Sequence, residues 1–241
     1  RAFLKPPLNA ETLALKDFLA AQALAEEALL DPAAPRDNRL RVWVLTHLAA
    51  AYQTLDYFTE AEKVLAELCR IDPGNSVHPY NTALVLAIQM KYPEALSWYR
   101  KSADLNRADP RPHLKIAFIL LKYPEKGRPP DTAEAIREGE IYRRLTGGER
   151  DGEYLALRGE AAFLLNDAKE AEAWFRKALA VDPRCRTALQ RLVILLGQKE
   201  DPTGEVQKEI DELRKWLQDY KPKGQEGGPG MEMKRTDLTF C

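Results

Sequence analysis

The sequence predicts an all-α fold: a solenoid of antiparallel helix pairs closed by an end helix. Two observations carry this. The first is a spaced quartet, Leu45, Leu48, Ala49 and Tyr52, that returns as Pro79, Thr82, Ala83 and Leu86, then as His113, Ile116, Ala117 and Leu120. The quartet reappears at Leu155, Arg158, Gly159 and Ala162, and again at Leu189, Leu192, Val193 and Leu196, with successive spacings of 34, 34, 42 and 34 residues. The second is a smaller set that follows the better copies, Ala61, Leu65 and Leu68 and then Ala171, Phe175 and Ala178, each ending at Asp-Pro. A quartet at i, i+3, i+4, i+7 is one face of an α-helix. A period held over such a distance means like units that bury their apolar faces on one another.

Each repeat therefore reads as two helices. The first carries a small residue (Ala49, Ala83, Ala117, Gly159) and the second another (Ala61, Ala95, Ala171), so the two axes can approach closely. Asp72-Pro73 and Asp182-Pro183 end the second helices, because the residue before proline is pushed out of the helical region. Ala95, Tyr99 and Ser102 keep the spacing, although Arg107 stands where a proline is due and Pro110 follows three residues late. Before the second helix of the next repeat lies an insertion, KYPEKGRPPD (122–131), and Asp131 with Glu134 restarts the helix as a capping box.

The ends read differently. Residues 9–30 lack Gly and Pro and are expected to form one long N-terminal helix, a partial first repeat or cap. Residues 203–220 place Val206, Ile210, Leu213 and Leu217 on one face with charges elsewhere, the polar-backed cap a solenoid needs. The expected organisation is a solenoid over 1–220, with repeats near 9–30, 42–74, 76–108, 110–146, 152–184 and 186–220. A Gly-rich linker and apolar-anchored tail follow over 221–241.

Composition bounds the function. The formal net charge is -1, which gives no basic field for nucleic acid. The longest apolar runs are far too short to cross a bilayer, so no membrane insertion is expected. The three cysteines, Cys69, Cys185 and Cys241, give neither zinc spacing nor a disulfide framework, and Cys69 reads as a small buried helix residue. His47 and His113 fall on first helices and His78 in a loop, with no metal-ligand spacing among them. No phosphate-binding glycine loop and no activated nucleophile is visible. No catalytic residue, metal or cofactor is expected. The expected localisation is cytoplasmic, with an exported location left open because the chain starts at Arg1 rather than Met.

The segments LTHLAAAYQTLDYFTEAEKVLAELCRIDP (45–73) and LALRGEAAFLLNDAKEAEAWFRKALAVDP (155–183) resemble the tetratricopeptide repeat family, and the match in phase spans about residues 42–200. The resemblance implies a right-handed superhelix that serves as a non-catalytic scaffold for protein interaction. Its concave groove would be lined by the second face of the first helices, where peptides bind.

Two first helices bear on this. In 79–90, Tyr80, Leu84 and Ile88 form an apolar stripe beside the packing face; in 111–122, Leu114, Phe118 and Leu121 do the same. A helix apolar nearly all round is covered on more than one side. The expected groove comprises Val77, Tyr80, Asn81, Leu84, Arg111, Leu114, Lys115 and Phe118. Within it, Asn81, Arg111 and Lys115 match part of a carboxylate clamp found in chaperone-binding members of the family. Thr46 and Ala50 stand where the clamp's remaining Lys and Asn belong, so the clamp is incomplete.

The expected partner is a protein or peptide. The tail, with Met231, Met233, Leu238 and Phe240 as anchors, is expected to occupy a groove of its own or of a neighbouring molecule. The alternatives are a homo-oligomer formed through the groove or the end helix with Trp216, and the targeting portion of a larger enzyme.

Overall fold

The computed structural model describes residues 38–148, 151–201 and 203–218, with isolated positions at 16, 19, 20 and 23. The expected helix over 9–30, apart from those four positions, and the expected linker and tail lie outside the described residues.

Ten helices account for the described chain. They are α1 (Asn38–Thr54), α2 (Phe58–Ile71), α3 (Val77–Ile88), α4 (Tyr92–Leu105), α5 (Arg111–Lys122), α6 (Thr132–Thr146), α7 (Gly152–Leu164), α8 (Ala168–Val181), α9 (Arg186–Leu196) and α10 (Glu205–Gln218). They pair as hairpins, α1 with α2, α3 with α4, α5 with α6, α7 with α8 and α9 with α10. The chain divides into two compact units, Arg1–Leu105 and Asn106–Cys241.

In the first unit, Leu45, Leu48 and Ala49 of α1, Ala61, Leu65 and Leu68 of α2 and Val85 of α3 make one buried cluster. Val85 brings α3 against the first hairpin, so α1 and α3 are neighbouring first helices at equivalent register. Tyr99 of α4 is fully buried and meets the ring of Tyr80 edge-on at 5.5 Å. Ser102 ties the hairpin down through its Oγ, which donates to the Ser76 carbonyl at 2.8 Å.

The second unit stacks α7 against α5, α6, α8 and α9. Its packing alternates large against small. Phe175 of α8 fills the space that Gly159 of α7 leaves, and Leu157 of α7 lies over Gly139 of α6. Asp131 Oδ1 accepts from the Glu134 N–H at 2.8 Å and starts α6.

Three hairpin turns share a device. Asp56, Met90 and Asn166 occupy the same repeat position, each with φ near +60°. The residue after each sends its N–H back five positions: Tyr57 to Tyr52, Lys91 to Leu86 and Asp167 to Ala162, at 2.9, 2.9 and 3.0 Å. This left-handed residue with a 6→1 hydrogen bond closes a helix and caps its last carbonyls.

Two expectations need correction. His78 is not in a loop: it is the second residue of α3, buried, with Nε2 3.0 Å from Asp72 Oδ2. Pro79 does not exclude a helix there, because in the first turn its missing N–H would have no intrahelical acceptor. Cys185 is disulfide-bonded, whereas the cysteine spacing gave no framework.

Candidate functional site

In the first unit the outward face of α1 and α3 is read directly in register. Trp43 corresponds to Val77, Thr46 to Tyr80, His47 to Asn81 and Ala50 to Leu84, each pair 34 residues apart. Trp43 is 55% exposed and Val77 39%. Tyr80, Asn81 and Leu84 are half-buried. The Trp43 ring stacks on His47 with centroids 4.3 Å apart, and His47 Nδ1 donates to the Trp43 carbonyl at 2.8 Å. Leu40, one turn earlier, is also exposed. Together these side chains make a strip of apolar and amide surface. The spacing that led to Val77 also leads to Trp43, one repeat earlier.

In the second unit the corresponding face is charged and largely self-paired. Leu114 is 7% exposed and Phe118 only 3%, with the Phe118 ring 5.9 Å from that of Tyr123. Both expected floor residues are thus covered, because a side chain on a second apolar face still packs wherever a neighbour reaches it. Arg111 grips Asp109 through Nε to Oδ1 at 2.9 Å and Nη2 to Oδ2 at 2.7 Å, and these contacts hold the Asp109 carboxyl below the usual range. Burial pushes the Lys115 ammonium pKa down, against the opposing pull of Glu153.

Deeper on the same face lies a three-helix clamp. Glu160 of α7 is 1% exposed. Arg191 of α9 grips it with two donors, Nε at 2.8 Å among them, and Lys122 of α5 reaches it at 3.0 Å. Burial alone would raise the Glu160 pKa; the hydrogen bonds and charges of Arg191 and Lys122 overcome it and hold the group low. Arg191 also lies 4.4 Å over the Phe163 ring. A cavity of about 380 Å³ opens beside the clamp, lined by Lys122, Gln190, Arg191, Val193, Ile194 and Leu217. Two cations against one carboxylate leave its rim with an excess positive charge beside the exposed Ile194.

A larger cleft of about 840 Å³ lies between α6, α7 and α8, walled by Glu140, Tyr154, Leu155, Trp174, Lys177 and Val181 among others. Lys177 and Arg158 sit 4.4 and 4.8 Å from the Trp174 ring. Glu140 accepts from Tyr154 Oη at 2.6 Å, Arg158 Nη1 at 2.8 Å and Arg143 Nε at 2.9 Å. The only sequence signal for this cleft is that Trp174 stands off the apolar face of α8 formed by Ala171, Phe175 and Ala178.

His113 pairs with Glu138 at 2.6 Å, as His78 does with Asp72, so both histidines serve packing. Among the described residues no group of three His, Cys, Asp or Glu side chains gathers to hold a metal ion. No described helix is long and apolar enough to cross a membrane.

These features define a helical-hairpin repeat protein of the solenoid class, with exposed side chains gathered on helix faces. The tetratricopeptide repeat family model matches residues 44–75 and 152–185. The chain carries tetratricopeptide repeats in these two segments. Solved structures agree on the fold. MamA residues 41 to the end, from Desulfovibrio magneticus RS-1, is 18% identical with a TM-score of 0.62, covering 72% of this chain and 95% of that one. A tetratricopeptide repeat protein from Parabacteroides merdae is 14% identical with a TM-score of 0.60, covering 87% and 84%. YrrB, described as a tetratricopeptide repeat protein with an unusual peptide-binding site, is 18% identical with a TM-score of 0.55, covering 75% and 87%. No curated protein matches the sequence. The chain carries the architecture of a protein-interaction scaffold.

Proposed function

We propose that this chain is a non-catalytic scaffold that holds an extended or helical segment of a partner protein on the outward faces of its first helices. In the first unit, Trp43, Val77, Tyr80 and Leu84 supply apolar contact and Asn81 a side-chain amide for the partner's backbone. In the second unit, the cavity beside Lys122 and Arg191 receives an acidic group, with Ile194 against a neighbouring apolar side chain. Arg111, Leu114, Lys115 and Phe118 act mainly by shaping α5, since Leu114 and Phe118 are covered and Arg111 holds Asp109.

The observation that carries this reading is the exposed Trp43 and Val77 at equivalent positions of neighbouring helices. Large apolar side chains gathered on one face mark interaction surfaces. Residues 231–241 are a candidate occupant from within the chain. Deleting 224–241 should then raise affinity for an added peptide selected on the protein, and unchanged affinity would reject self-occupancy. Exposed Trp216 on α10 favours a second reading, self-association through the end helix. Light scattering over a dilution series separates the two, because only self-association makes the mass fall on dilution.

A further inference from the structure

The cleft of about 840 Å³ between α6, α7 and α8 lies away from the first-helix face. The 42-residue spacing carries Arg111, Leu114, Lys115 and Phe118 of that face onto Glu153, Ala156, Leu157 and Glu160 of α7. Successive residues turn by about 100° around a helix, so Tyr154, Leu155 and Arg158 occupy the other flank of α7. That flank faces the cleft. Tyr154 and Leu155 line it, and Arg158 reaches the Trp174 ring on its wall. Among the described residues that line the cleft, none belongs to the first-helix face.

The charges lining this cleft do not cancel. They are one carboxylate, Glu140, and two cations, Arg143 and Lys177. Glu140 is fully engaged by Tyr154, Arg158 and Arg143, and these donors, Tyr154 foremost, hold its carboxyl below the usual range, so it stays ionised. Lys177 is exposed and pairs with no carboxylate among the described residues; its ammonium sits 4.4 Å over the Trp174 ring instead. A lysine ammonium has three N–H donors and the ring engages one side of it, so donors remain for a ligand. The ring also fixes the side chain in advance, which lowers the ordering cost of binding. Trp174, Lys177 and Val181 stand at i, i+3 and i+7, one stripe along α8, and Val181 is 45% exposed. With Leu155 and Ala180 it continues the wall as apolar surface.

We propose that this cleft is a second docking site, for a partner peptide that carries one carboxylate beside a large apolar side chain. The carboxylate pairs with Lys177, and the apolar side chain lies along Leu155, Ala180 and Val181. One excess cation matches a monoanion; a phosphate group would bring negative charge with no counterpart. The exposure of the wall favours a peptide over a free small acid. A small-molecule pocket encloses most of its ligand, whereas Lys177, Ala180 and Val181 stand exposed and leave a chain room to enter and continue. The site stands independently of the first-helix surface.

The test uses the nitrogen-15-labelled full chain, whose 4 tryptophans each give an indole N–H signal in a nuclear magnetic resonance spectrum. The Trp174 signal reports on the cleft and the Trp43 signal on the first-helix face; Trp174→Phe and Trp43→Phe assign them. The probes are acetylated, amidated pentapeptides whose central aspartate is flanked by leucine, isoleucine, phenylalanine or tyrosine. The expected result is a saturable shift of the Trp174 signal with the Trp43 signal unmoved. Asparagine in place of the aspartate should weaken binding about tenfold, and so should Lys177→Met, which keeps the stem over the ring and drops the charge. The two losses should not add, and Lys177→Glu should prefer the peptide with a central lysine. Lys177 is exposed, and circular dichroism checks that each variant folds. The proposal is overturned if no peptide moves the Trp174 signal, if only the Trp43 signal moves, or if Lys177→Met leaves affinity unchanged. It is equally overturned if phosphoserine in place of the aspartate binds more tightly, or if N-acetylleucine binds as strongly as the peptides.

Discussion

Replacing Gly159 with alanine sets two physical effects against each other, and the sign of the result decides between them. Gly159 lies inside α7, where alanine is the better helix former by about 1 kcal/mol. A Cβ built there would meet three atoms of the Phe175 ring at 2.5, 2.6 and 3.0 Å. Real contacts of this kind begin near 3.5 Å, so the ring must retreat by up to about 1 Å. Phe175 is fully buried, and overpacking such a site costs about 1–3 kcal/mol. The net expectation for Gly159→Ala is a loss of about 1 kcal/mol, a fall in Tm of about 3 °C for a chain of this length. The chain suggests its own rescue: α1 and α2 place Ala49 and Leu65 at the equivalent positions. Gly159→Ala/Phe175→Leu should therefore lose less than the sum of the single changes, with a coupling of about 1 kcal/mol. Chemical denaturation followed by circular dichroism measures all four proteins. A Gly159→Ala protein more stable than wild type would refute the close-packing argument and leave helix propensity as the dominant effect.

Three further predictions follow from the same geometry. Glu160→Gln leaves Lys122 and Arg191 without their shared carboxylate and should cost about 3 kcal/mol in urea denaturation at pH 7. Because the folded Glu160 pKa is depressed, its contribution is full above the ordinary glutamate value and fades as pH falls through the folded value. The gap between wild type and Glu160→Gln should accordingly shrink from about pH 5 downward, and a gap that widened there would contradict the clamp. Met90 holds φ at 61° where its register mates are Asp56 and Asn166; Met90→Asn should stabilise by about 1 kcal/mol, and a loss in thermal melting would count against strain at this turn. In reducing buffer Cys185→Asp should gain about 1 kcal/mol by capping α9, whereas destabilisation below reduced wild type would show that the site cannot seat the carboxylate.

The repeat register made the hairpins legible in advance, because a quartet at i, i+3, i+4, i+7 followed by small residues and Asp-Pro encodes both helices and their stop. It supplied Asp131 as a cap and the close approach at Gly159. Other features lay beyond a helical wheel. The wheel shows that Leu114 and Phe118 form an apolar face, but burial depends on what reaches that face from elsewhere in the fold. Arg111 and Lys115 read as available cations, yet Asp109 sits two residues before Arg111 and Glu153 lies a repeat away from Lys115. Nothing in the sequence marks Glu160, and only packing brings Lys122 and Arg191 onto it. Cysteine spacing alone does not mark Cys185. Its place at the repeat position of Asn75, Asp109 and Asp151, just ahead of a first helix, is the signal the sequence carries.

The central claim is that the first-helix face bearing Trp43, Val77, Tyr80, Asn81 and Leu84 receives a polypeptide segment. The most direct measurement selects peptides from a displayed library on the full chain, then titrates them by fluorescence anisotropy against wild type and Trp43→Ala/Tyr80→Ala. The account predicts that the selected peptides lose at least tenfold in affinity for a variant whose circular dichroism matches wild type. Equal binding to both proteins would contradict it.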